Sequence, residues 1–193
     1  MESRGLSIAL GAGQLFWVFV IGFYMFEYEN APYYEGAFAQ ATRQAGRGLL
    51  FFTAVFYAIF HAGFVLLARQ RRLSALAWSS FGVTATSLLI GAALVCSPPF
   101  AAYLLKTVPF RALSMLLVVF GGSLIMARQT LGRAALTAGV LEFSGGLLGL
   151  LFGPTPTIFL FIPAWFYKCR ALRAAQCSES LSPQAVGGHL GAT

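Results

Sequence analysis

The sequence contains no aspartate and only two lysines, Lys106 and Lys168, and charged residues make up 10% of its 193 positions. A soluble domain carries about a quarter charged residues because its surface must face water, so an ordinary water-soluble globule is excluded. Two histidines and no aspartate leave too few groups for the familiar intramembrane hydrolase or metal chemistries. No Walker loop, GxSxG elbow, HExxH or CxxC motif occurs either. Three cysteines (Cys96, Cys169 and Cys177) cannot build a disulfide framework and lack metal-ligand spacing. A non-enzymatic chain with no cofactor and no bound metal is therefore expected.

Apolar residues are what the chain has in excess: 58% of it is hydrophobic and the mean hydropathy is +0.75. They form continuous blocks near 6–26, 49–68, 74–95, 110–127, 134–152 and 155–168. At a rise of about 1.5 Å per residue, about 20 apolar residues match the hydrocarbon core of a bilayer. Only helices and closed barrels satisfy their backbone polar groups in lipid. These blocks show no two-residue alternation, which excludes a barrel. The sequence thus predicts an all-α, polytopic transmembrane helical bundle of six spans over residues 1–177, followed by a disordered polar tail at 178–193. Between the first two blocks, Tyr33 to Gly48 places Phe38, Ala41 and Ala45 on one side and Gln40, Arg43, Gln44 and Arg47 on the other. That pattern suits a short interfacial helix.

Orientation follows from the basic residues, which sit at block ends. With six crossings and the N-terminus inside, nine fall on the cytoplasmic side: Arg4, Arg69, Arg71, Arg72, Arg128, Arg133, Lys168, Arg170 and Arg173. Four fall outside: Arg43, Arg47, Lys106 and Arg111. Dropping the short last crossing would erase the bias, so both termini are expected in the cytoplasm. The net charge of +7 is accounted for by topology and anionic-lipid contacts, and nucleic acid is not an expected partner. The plasma (inner) membrane is favoured over an internal one.

A weak internal repeat is also legible. Gly63 to Gln70 resembles Gly122 to Gln129, and Gly82-Val83, Ser87 and Pro99 recur as Gly139-Val140, Ser144 and Pro156. Three helical hairpins would generate such a repeat.

Glu142 lies in the middle of the fifth block, where a charge costs roughly 2.5–3.5 kcal/mol even on lenient insertion scales. Gly145, Gly146, Gly149 and Gly153 follow on the same helix face and would let a neighbouring helix approach closely. Glu142 should therefore point into protein. His61, in the second block, lies at a similar depth from the cytoplasmic edge, and Tyr57 one turn earlier could hydrogen-bond to it. Glu142 and His61 form the candidate intramembrane polar pair. With no third buried charge to make a relay, a structural role for Glu142 is favoured over a place on a transport path, and the short loops, missing catalytic groups and glycine-lined face favour a non-enzymatic accessory, structural or stress-related protein. It would act through helix contacts with a protein partner or a second copy, surrounded by membrane lipids. The alternative is a small transporter or channel that handles ions or protons through Glu142 and His61.

Overall fold

The computed structural model describes residues 2–30, 39–96, 109–152 and 154–180. The elements among the described residues are all helices: α1 (Glu2–Asn30), α2 (Ala39–Gln70), α3 (Ser74–Cys96), α4 (Pro109–Met126), α5 (Arg128–Phe152) and α6 (Pro154–Ser180). Four of them are long and apolar enough to cross a membrane, over Arg4–Phe23, Gln44–Gln70, Ser74–Ala93 and Arg128–Phe152. α4 is a shorter apolar helix by the same measure, with its apolar part at Arg111–Met126.

Two boundaries differ from expectation. Residues 39–48 are not a separate interfacial helix; they are the opening turns of α2, because nothing between Gly48 and Leu49 breaks the backbone hydrogen bonding. The rest of that expected helix, and Gly153, lie outside the described residues. The last block does not stop at Lys168 but continues through Pro163 and the basic cluster to Ser180. The first three residues of the stretch expected to be disordered are thus helical, and 181–193 lie outside the described residues.

Consecutive helices pack as antiparallel neighbours, and α6 returns to α1 to close a ring through a looser seam. Phe16 packs on Tyr57 across α1 and α2, Thr84 reaches the Ala58 carbonyl across α2 and α3, and the Ser79 and Ser123 hydroxyls meet at 2.8 Å across α3 and α4. At the closing seam Gln176 donates to the Ser7 hydroxyl at 2.6 Å. The centre of the ring is filled by Phe60, Phe64, Phe120, Leu124 and Leu172, all inaccessible to solvent.

The two tight turns at the arginine-rich end use different devices. α2 ends in a Schellman arrangement: Leu73 N–H donates to the Ala68 carbonyl at 2.8 Å and Arg72 N–H to Arg69 at 3.2 Å. Arg72 occupies the left-handed position (φ 56°) that glycine usually fills. After the junction of α4 and α5 at Ala127, the opening turn of α5 is kinked at Gly132, with φ 78° and ψ −172°. That region of backbone space is essentially open only to glycine.

Candidate functional site: a buried ion pair in an aromatic cage

Glu142 is positioned by the fit of α5 against α4. A Cβ built on Gly121 would lie 2.7 Å from the Gly139 carbonyl oxygen, and one on Gly146 would lie 2.8 Å from the Ser114 carbonyl oxygen. These are backbone-to-backbone approaches that only glycine permits. Gly145 and Gly149 are buried on the same side of α5. With α5 held in this way, Glu142 turns inward and is 2% exposed.

Its partner is Lys168 of α6, whose ammonium forms an ion pair with the Glu142 carboxylate and is wholly inaccessible to solvent. The sequence had placed Lys168 at a membrane face as a topology charge. It lies instead on the inward stripe of α6, among Trp165, Ala171, Leu172 and Ala175. A three-and-four spacing through Phe161, Trp165, Lys168, Leu172 and Ala175 was the available signal, and the adjacent Cys169-Arg170 masked it by resembling a helix end.

His61 completes the group. The Lys168 Nζ lies 3.5 Å from His61 Nε2, and the opposite ring nitrogen, Nδ1, lies 3.0 Å from the Tyr57 carbonyl oxygen. A carbonyl only accepts, so Nδ1 carries the hydrogen and donates, which leaves Nε2 with a free lone pair toward the ammonium. The candidate pair Glu142 and His61 is therefore brought together through Lys168, which stands between them. α5, α6 and α2 each supply one ionisable side chain, and the Lys168–Glu142 pair carries no net charge.

Five aromatic rings surround the ammonium. The nitrogen lies 4.8 Å from the Trp165 ring centroid, 5.0 Å from Phe161, 5.7 Å from Phe60, and 5.8 Å from Tyr57 and from Phe120. Ring faces attract cations, by about 2 kcal/mol when the cation is desolvated. Phe60 and Phe16 stack against Trp165 at 4.0 and 4.5 Å, so the cage is itself braced by α1 and α2. Trp165 therefore belongs to the core and is not an interfacial anchor. The Tyr57 hydroxyl is buried and has no hydrogen-bond partner among the described residues.

Chemically, the group offers a carboxylate, an ammonium and an imidazole lone pair in one shielded place. A proton can be exchanged among them. Among the described residues no cluster of three His, Cys, Asp or Glu side chains could hold a metal ion. No family model matches the chain, and no curated protein or solved structure is found to match it.

Proposed function

We propose that this protein is a small multi-pass membrane carrier for protons or ions, with Glu142, Lys168 and His61 as its coupling centre. The observation that carries the reading is the meeting of three ionisable side chains from three helices at one solvent-free point. A purely structural role gives little reason for it. A buried ion pair contributes no more, and often less, than well-packed hydrophobic residues of the same volume. Ionisable groups inside membrane helices mark ion and proton routes. A purely structural reading of Glu142 rests on the lack of a third buried charge beside it and His61, and Lys168 supplies one; the missing catalytic groups and the glycine-lined face of α5 still fit an accessory protein.

The proposed topology is six crossings with both termini on the cytoplasmic side. With Lys168 withdrawn to the interior, the remaining inside set is Arg4, Arg69, Arg71, Arg72, Arg128, Arg133, Arg170 and Arg173, all of them exposed. An antiparallel ring supports this reading, since it would gather these eight at one end, against the four basic residues assigned to the other side.

Purified protein in phosphatidylcholine vesicles, loaded with a pH-sensitive dye and subjected to imposed proton, sodium or potassium gradients, tests the carrier. Wild type should dissipate at least one gradient, and the charge-neutral double variant Glu142→Gln, Lys168→Met should not, while retaining the wild-type elution profile. If wild type leaves every gradient intact, the accessory reading, helix contacts with a partner or second copy, takes its place.

A further inference from the structure

At the looser seam of the ring, between α1 and α6, the surface opens into a cleft of about 550 Å³, within the range of about 300–1,000 Å³ typical of ligand sites. Its deeper part is lined by Trp17, Ile162, Trp165 and Phe166, and its arginine-rich end by Arg170 and Arg173. No acidic side chain lines it. From Ile162 to Arg173 the helix advances about 16 Å at 1.5 Å per residue. One leaflet's share of a hydrocarbon core about 30 Å thick is nearly the same length. The cleft therefore has two zones along α6, a basic pair toward the arginine-rich end and an aromatic-aliphatic wall on the far side of it, spaced about as far apart as a lipid phosphate and the inner part of its acyl chain.

The same chemistry recurs elsewhere at this end of the molecule. A second cleft, of about 520 Å³, is lined by Trp78 and Phe81 with Arg69 and Arg72 beside them, and again by no acidic side chain. The three tryptophans of the chain are thus divided between two clefts of one composition. Trp78 is 74% exposed, as a residue facing lipid should be.

We propose that the α1–α6 cleft binds an anionic phospholipid, its phosphate held by Arg170 and Arg173 and one acyl chain lying along Trp17, Ile162 and Phe166. Two guanidinium groups match a phosphodiester through paired N–H donors, and juxtamembrane basic residues attract anionic lipid. Trp165 connects this cleft to the interior, since the same indole lies 4.8 Å from the Lys168 ammonium. The proposal rests on the membrane reading and not on ion handling.

Tryptophan quenching by lipids brominated on the acyl chain tests it. In a Trp78→Phe background only Trp17 and Trp165, both in the α1–α6 cleft, remain to report. In phosphatidylcholine vesicles, brominated phosphatidylglycerol should reach half-maximal quenching at a several-fold lower mole fraction than brominated phosphatidylcholine. Arg170→Gln with Arg173→Gln should equalise the two lipids, and Arg69→Gln with Arg72→Gln should leave the preference intact. Equal quenching by both headgroups, or a preference that survives Arg170→Gln with Arg173→Gln, would overturn the proposal. Protein that does not float with vesicles would instead sink the membrane reading, and absent ion flux would bear only on the carrier.

Discussion

Lys168 Nζ sits 3.5 Å from His61 Nε2 while its charge is matched by Glu142 on the neighbouring helix, so one ammonium joins α2, α5 and α6. The strength of that junction depends on all its members being present. An ion pair in a low-dielectric interior roughly balances its desolvation penalty, whereas a lone charge left behind does not.

Removing one partner should therefore harm the protein more than removing both. Glu142→Gln or Lys168→Met alone is expected to lose about 3–5 kcal/mol. The double variant should lose clearly less than the sum, giving a coupling energy of about 1–3 kcal/mol. Thermal or denaturant unfolding of the four proteins in one mild detergent measures the cycle. Additive losses would mean that the two groups do not act as a pair.

The ring of His61 should be fixed as the Nδ1–H tautomer. Nδ1 donates to the Tyr57 carbonyl, and the ammonium needs an acceptor at Nε2. Nitrogen-15 spectra of histidine-labelled protein should show a pyrrole-type Nδ1 and a pyridine-type Nε2 for His61, with His189→Gln removing the second histidine. The reverse assignment would break the connection from His61 to Lys168.

The α4–α5 contact should tolerate no added carbon. A methyl at Gly121 or Gly139 would meet backbone atoms at under 3 Å, and backbone cannot rotate away as a side chain can. Gly121→Ala and Gly139→Ala are each expected to destabilise by about 1–3 kcal/mol, the usual penalty for overpacking. Gly22→Ala, where nothing lies within 4 Å, is the control and should be close to neutral. Thermal midpoints in detergent distinguish these cases.

How far these features could be read from residues alone varied with the kind of signal. Glu142 stood out because a carboxylate in a long apolar run has no other environment to go to, and its glycine neighbours marked a face. Equal depth also brought His61 into view. Lys168 was hidden because its neighbours Cys169 and Arg170, together with Pro163 before it, imitate the end of a short span. Hydropathy averaged over that block cannot see that one stripe of α6 is inward and another is exposed at Phe159, Ile162 and Phe166. The convergence of Tyr57, Phe60, Phe120 and Trp165 on one ammonium depends on helix rotation, which no single block encodes. The continuity of α2 through residues 39–48 was missed for a related reason: polar side chains on an opening helix resemble those on an interfacial one.

The two turns at the arginine-rich end should respond oppositely to exchange of glycine and side chain. Gly132, at φ 78° and ψ −172°, lies where a Cβ is strongly disfavoured, although nothing surrounds it within 4 Å. The strain is thus purely local, and Gly132→Ala should destabilise by about 1–3 kcal/mol. Arg72, at φ 56°, is a side chain in a position that glycine fills at no steric cost. A left-handed residue other than glycine carries roughly 1–2 kcal/mol of strain, and glycine gives back about 0.5–1 kcal/mol in backbone entropy. Arg72→Gly is therefore expected to leave stability unchanged or raise it by up to about 1 kcal/mol. Unfolding of both variants beside wild type decides the matter: a stabilised Gly132→Ala, or a strongly destabilised Arg72→Gly, would mean the turns are not built as described.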